Sequence, residues 1–159
     1  MLNWIKFLSV FLLTLFAAIA IFVLYQSNKP FASSQEAAIE VVLNAGELVE
    51  VDETTSYRGN ASLIAVYGTD RKGKYKALLV NEKSGEIVRT VTPSKGITKQ
   101  QATAIVKKEK PVKKILHTSL GIEKERLLWE VSFIGEDDRL NYVYLDFTDG
   151  KWQKQILNL

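Results

Sequence analysis

The sequence predicts an α+β protein: one N-terminal transmembrane helix, then two tandem units, each a helix packed on an antiparallel sheet. Three observations lead there. The 22 residues from Phe7 to Asn28 carry no charge. Helix-spaced apolar positions twice give way to a run of short β-like segments. Those two stretches align with each other at an offset of 64 to 65 residues.

The first element is the membrane segment. Phe7–Tyr25 is apolar almost throughout, and at about 1.5 Å per residue it spans roughly 30 Å, the thickness of a hydrocarbon core. Trp4 and Tyr25 stand where interfacial aromatics belong, and Lys6 and Lys29 bracket the run. A cleaved signal peptide is the competing reading, because Ala18-Ile19-Ala20 has small-x-small spacing. The apolar run continues past it through Ile21–Tyr25, which favours an uncleaved signal anchor over residues 1–28. A short basic N-terminal tail ahead of a large polar domain predicts a single-pass protein, N-terminus inside and C-terminal domain extracytoplasmic.

Residues 29–33, with Pro30, read as a linker, and residues 34–94 as the first unit. Ser34 is placed as an N-cap, with Ala38, Val41, Val42 and Ala45 on one helical face before Gly46. Strand-like runs follow at Leu48–Val51, Ser62–Tyr67, Tyr75–Val80 and Glu86–Val91. Turn chemistry separates the later ones at Thr69–Gly73 and Lys83–Gly85. Residues 95–159 form the second unit. Thr98-Lys99-Gln100-Gln101 has the form of a capping box, Ala102, Ile105 and Val106 continue the helix, and Pro111 stops it. Runs at Val112–Ser119, Leu127–Ile134, Leu140–Phe147 and Lys151–Leu157 complete it. Val41 and Val42 match Ile105 and Val106 at offset 64; Val66, Leu79 and Gly85 match Val131, Tyr144 and Gly150 at offset 65. One inserted residue accounts for the change.

Composition excludes several kinds of chemistry. There is no cysteine, hence no disulfide, thiol nucleophile or Cys-ligated metal. Lys6 and Lys29 are two of the 21 basic residues and no acid precedes Glu36, so residues 30–159 carry 19 basic and 18 acidic residues. The pI of about 9.0 therefore reports no nucleic-acid surface. The single histidine, His117, lacks the spaced partners of a metal site or general base and reads as a strand residue. Glu136-Asp137-Asp138 lacks the alternation of a calcium loop and reads as a hairpin turn. Neither Ser33-Ser34 nor Ser119 has nucleophile-elbow context, and no phosphate loop occurs. No catalytic, cofactor or metal residues are assigned, and the protein reads as a non-enzyme.

The helix followed by strands, in LLWEVSF (Leu127–Phe133) and YVYLDFTDGKW (Tyr142–Trp152), resembles PepSY-like, cystatin-like units. A degenerate copy stands at Leu63–Gly73 and Ala77–Val88. With the anchor, GITKQQA (Gly96–Ala102) and YLDFTDGK (Tyr144–Lys151), the whole chain resembles the YpmB/TseB family of Firmicutes. The first repeat departs from the pattern, with Ala65-Val66 in place of a W-E-V element and Ser84-Gly85 for the turn. The resemblance implies a membrane-anchored extracytoplasmic binding protein regulating cell-wall elongation with a penicillin-binding protein as partner. An inhibitor of an extracellular protease is the alternative that PepSY resemblance also allows.

Two surfaces are candidates for contact. Lys107, Lys108, Lys113 and Lys114 lie in a lysine-rich stretch after the second helix and suit a membrane, a wall polymer or an acidic partner. Alternation along Asn141–Phe147 sets Tyr142 and Tyr144 on the face opposite Val143, Leu145 and Phe147. The tyrosine pair then points outward or between the repeats, as a protein-contact surface.

Overall fold

The computed structural model describes residues 2–157 and 159, with side chains for all of these except 2, 3 and 25–32. It comprises two units, residues 1–34 and 35–159. The first unit is helical. Trp4–Leu24 is long and apolar enough to cross a membrane, and its side chains from Trp4 to Ile19 are exposed. Tyr25, Lys29 and Pro30, which mark the span end and linker in the sequence, fall outside the described side chains.

The helix α1 runs Leu2–Asn44 without a break. Ser34 therefore opens no helix, contrary to the sequence reading. A helix that continues through it supplies the carbonyl partners that a free N-terminus would need from a cap. The end of α1 is as expected: Gly46 takes φ +68°, and Glu47 N–H and Gly46 N–H return to the Val42 and Leu43 carbonyls. This paired closure is a Schellman motif, and the left-handed φ is why glycine stands there.

In the second unit, β1 (Glu50–Arg58), β2 (Ser62–Thr69), β3 (Tyr75–Asn81) and β4 (Ile87–Val91) form an antiparallel meander. After a 3₁₀ turn at Pro93–Lys95 and α2 (Lys99–Glu109), a second meander is built from β5 (Val112–Glu123), β6 (Arg126–Gly135), β7 (Leu140–Asp146) and β8 (Trp152–Ile156). The Thr98–Gln101 capping box is formed in full: Thr98 Oγ1 accepts from Gln101 N–H at 3.1 Å, and Gln101 Oε1 accepts from Thr98 N–H at 2.8 Å. Lys110 caps the other end, immediately before Pro111.

The two sheets share a register. Val66 pairs with Leu78, and 65 residues on, Val131 pairs with Val143. Leu78 pairs with Thr90, and Val143 with Gln155. Even the register shift recurs, at Leu79/Val80 and at Tyr144/Leu145. On the first strands the offset is 64, since Tyr57 pairs with Leu63 and Gly121 with Leu128. The extra residue lies in the β5–β6 hairpin, where Lys124 and Glu125 both take positive φ.

Each sheet alternates its apolar side chains between two faces. Ala38 and Val42 of α1 share a core with Leu48, Ile64, Val66, Leu78 and Val80 on one face of the first sheet. The other face, with Ala65, Tyr67, Ala77, Leu79 and Val91, joins a larger core with Ala102 and Val106 of α2 and with Trp129, Val131, Phe133, Val143 and Leu145 of the second sheet. Fourteen buried residues make up that core, so the two meanders are held together by burial rather than by a linker.

Candidate functional site

The lysines separate. Lys107 and Lys108 are exposed in the last turn of α2, where cations favour the helix C-terminus. Lys114 pairs in register with Ile134, on the sheet face that points away from α2. Lys113 sits at a register shift and forms a salt bridge with Asp138 of the exposed β6–β7 turn. The sequence run thus supplies two small clusters on different sides of the second sheet, not one patch of four. Lys110 lies over the Trp152 ring, with Nζ 5.3 Å from its centroid.

The tyrosines also part company. Val143 and Leu145 face α2, so Tyr142 and Tyr144 occupy the opposite face, as alternation requires. Tyr142 is half-buried, but Tyr144 is only 5% exposed. It packs between the sheets with Tyr57, Leu63 and Leu128. Tyr144 therefore belongs to the junction of the repeats and presents little surface to a partner.

That junction is built by β1 and β5. Tyr57, completely buried, reaches across β5 at Gly121, where an added Cβ would lie 2.4–2.6 Å from its ring atoms. His117 Nε2–H donates to the Ser56 carbonyl at 3.1 Å, a second tie between the same strands. Gln35 Nε2, from within α1, reaches Ser56 Oγ at 3.5 Å.

Beside this junction the open face of the second sheet lines a cavity of about 340 Å³. Glu130 and Ser132 of β6, Tyr142 and Tyr144 of β7, His117 of β5 and Ile156 of β8 border it. Glu130 is 7% exposed. Burial raises its carboxyl above the usual range, while the Tyr144 hydroxyl and His117 pull it back and Glu123 adds to the rise. Burial and the neighbouring Glu130 likewise push the Tyr144 phenol up, and burial lifts Tyr57 to about 12.

The hydroxyl and the imidazole at this face have other partners. The Ser132 hydroxyl donates to the His117 main-chain carbonyl at 3.4 Å, and the imidazole is committed to Ser56. Nucleophile and base are thus not in contact. Among the described residues no group of three acidic or imidazole ligands could hold a metal ion.

Glu130, Ser56 and Tyr57 were not singled out in the sequence. Glu130 had a signal: a lone carboxylate inside the apolar run LLWEVSF. Tyr57 lay beyond the first strand as read, because β1 extends seven residues past Val51, to Arg58.

Comparison with known proteins places this architecture. Residues 96–155, α2 and the second sheet, match the PepSY model, "Peptidase propeptide and YPEB domain". The chain is 31% identical over 121 residues to the "Probable cell wall elongation regulator TseB" of Bacillus subtilis (strain 168), covering 76% of this chain and 75% of that protein. The solved structure of the YpmB protein from Bacillus subtilis superposes with a TM-score of 0.64 at 30% identity, over 76% of this chain and 94% of that one. Sequence and fold each match over 76% of this chain, and the chain belongs to the YpmB/TseB family of PepSY proteins.

Proposed function

We propose that the chain is a non-enzymatic, membrane-anchored regulator of cell-wall elongation that works by binding a penicillin-binding protein outside the membrane. The similarity to TseB over 121 residues carries this reading. The apolar Trp4–Leu24 helix supports the anchor; in this reading the N-terminus is inside and the body extracytoplasmic. The naming of that relative as a regulator supports the non-enzymatic part. The domain plan is an anchor over residues 1–28 and PepSY-like repeats over 34–94 and 95–159; the shared strand register supports duplication of one ancestral unit. In this plan Lys107 and Lys108, at one side of the second repeat, contact anionic lipid or wall polymer, with Lys113 and Lys114 adding charge from the other side.

The test is site-specific photo-crosslinking in cells from exposed positions of the body. Enrichment of one penicillin-binding protein from several neighbouring positions is the expected result. Crosslinks that scatter without any such synthase would overturn it. The match to a peptidase-propeptide model favours one second reading, inhibition of an extracellular protease. Inhibition of a purified secreted protease by the full chain would select that reading instead.

A further inference from the structure

The shared register allows the two sheets to be compared position by position. On the first sheet the face turned from α1 carries Ala65, Tyr67, Ala77, Leu79 and Val91, all buried in the core shared with the second sheet. At offset 65 the same positions are Glu130, Ser132, Tyr142, Tyr144 and Ile156. The first set meets an element of its own chain and is apolar. The second set borders the cavity of about 340 Å³, and α2 lies against the opposite face of its sheet. The clearest exchange is Ala65 for Glu130, which puts a glutamate whose residue is only 7% exposed where the equivalent position holds a methyl group.

A buried carboxylate needs a cation or strong donors to balance its desolvation. The cations near the rim are already engaged, Arg58 with Glu82 at 3.8 Å and Lys154 with Glu123 at 3.4 Å. Among the described residues Glu130 itself makes no salt bridge; the Tyr144 hydroxyl and the more distant His117 and Lys154 offset its burial only in part, and its carboxyl stays above the usual range. Its surroundings suit one class of ligand. The half-buried Tyr142 and Ile156 offer an aromatic and an aliphatic wall for a hydrocarbon stem, and tyrosine faces attract ammonium groups. Lys154 demonstrates the second point, with Nζ 5.2 Å from the centre of the Tyr144 ring. The single carboxylate is too few ligands for a metal ion, and an anion would be repelled. The volume falls within the range of small-ligand pockets, about 300–1,000 Å³.

We infer that the open face of the second sheet is a binding pocket for a primary ammonium on an aliphatic stem, the end of a lysine-type side chain, with Glu130 as its counter-ion. Ser132 and the Tyr142 hydroxyl supply further acceptors at the cavity wall. This inference is independent of the identity of the partner proposed above, since it concerns a group, not a protein.

The test uses the full chain in zwitterionic nanodiscs, titrated and followed by NMR. Three probes are compared: Nα-acetyl-lysine-N-methylamide, its uncharged isostere Nα-acetyl-norleucine-N-methylamide, and putrescine. The lysine amide is expected to bind, with shifts mapped to β6 and β7, and the norleucine amide to bind at least about tenfold more weakly. Glu130→Gln is expected to abolish that preference while leaving the remaining spectrum in place. Stronger binding of the lysine amide than of putrescine assigns the pocket to a protein side chain; equal binding assigns it to free amines. Equal binding of the lysine and norleucine amides by the unaltered protein overturns the inference without recourse to any variant. So does a Glu130→Gln protein that keeps the preference.

Discussion

The packing of Tyr57 over Gly121 makes a quantitative prediction. The two positions are register equivalents, Tyr57 opposite Leu63 and Gly121 opposite Leu128, so duplicated strands meet with a large residue on one and no side chain on the other. In Gly121→Ala the new methyl would lie 2.4 Å from Cδ2, 2.5 Å from Cγ and 2.6 Å from Cε2 of Tyr57. Carbon atoms in contact sit about 3.5–4.0 Å apart, so the ring must retreat by about 1 Å or leave its site. Retreat is overpacking, at about 1–3 kcal/mol. Expulsion approaches the loss of a buried aromatic, about 3–5 kcal/mol. The assay is denaturant unfolding of the full chain in detergent, followed by Trp129 and Trp152 fluorescence, for Gly121→Ala, Tyr57→Ala and the pair. Gly121→Ala alone is expected to cost 1–3 kcal/mol or more by this reasoning, so about 2 kcal/mol as a working figure. Tyr57→Ala removes the atoms that clash, so the double variant should be no less stable than Tyr57→Ala. Two costs that simply add would refute the crossing of Tyr57 over β5 as the constraint at this position.

Three further outcomes follow from local chemistry. Lys124 and Glu125 form a two-residue hairpin turn at φ 47° and 68°, the geometry that Asn-Gly adopts with least strain; replacing the pair by Asn-Gly should stabilise the chain by about 1–2 kcal/mol, read as a higher Tm. Thr98→Ala removes the hydroxyl that accepts from Gln101 N–H, and should cost about 1 kcal/mol, with Thr98→Ser restoring most of it in the same melt. Burial raises the folded-state pKa of Glu130 above its ordinary value of 4.5, so the folded chain holds its proton more tightly than the unfolded chain. Its contribution to stability should fall as pH rises from about that ordinary value through the folded pKa; Glu130→Gln should flatten that part of the Tm–pH curve, and an unchanged slope would refute the assignment.

The helices and strands were legible where local signals agreed. Thr98 and Gln101 declared α2 because a capping box, an apolar face and Pro111 all point the same way. The meander order followed from turns such as Asn81–Gly85, where Asn81 Oδ1 accepts from Lys83 and Ser84 N–H and Gly85 takes φ +70°. The start of the first repeat was not legible in this way. Ser34 and Pro30 carry boundary signals, yet α1 is continuous through both, since a helix already propagating from Leu2 needs no new nucleus there. The far half of β1 was missed because Tyr57 is the one apolar residue from Asp52 to Arg58, and it is buried against Leu128 and Tyr144 of the second sheet. Nothing local marks that side chain as interior.

The same reasoning explains why the open face escaped a reading by periodicity. Alternation correctly puts Tyr142 and Tyr144 opposite Val143 and Leu145, but it cannot say which other element shares that face. Tyr144 is buried by Tyr57, 87 residues earlier in the chain. Glu130 sits within an apolar strand whose Trp129 and Val131 neighbours both face α2, and its counterpart is Ala65 only after the inserted residue is located in the β5–β6 hairpin. The informative comparison is therefore between the repeats. Duplicated sheets that keep their register but exchange Ala, Ala and Leu for Glu, Tyr and Tyr on one face have been asked to do different things with it. In the first repeat that face closes the core. A carboxylate at Ala65 would place an unpaired charge among Tyr67, Leu79 and Val131, at a cost well beyond a typical substitution. In the second repeat the same carboxylate borders a cavity, where a ligand can balance it. A face that served packing alone would be better filled by alanine at position 130 than by a carboxylate. Glu130 beside tyrosines and hydroxyls therefore suits the ammonium contact inferred above better than it suits the chain's own core.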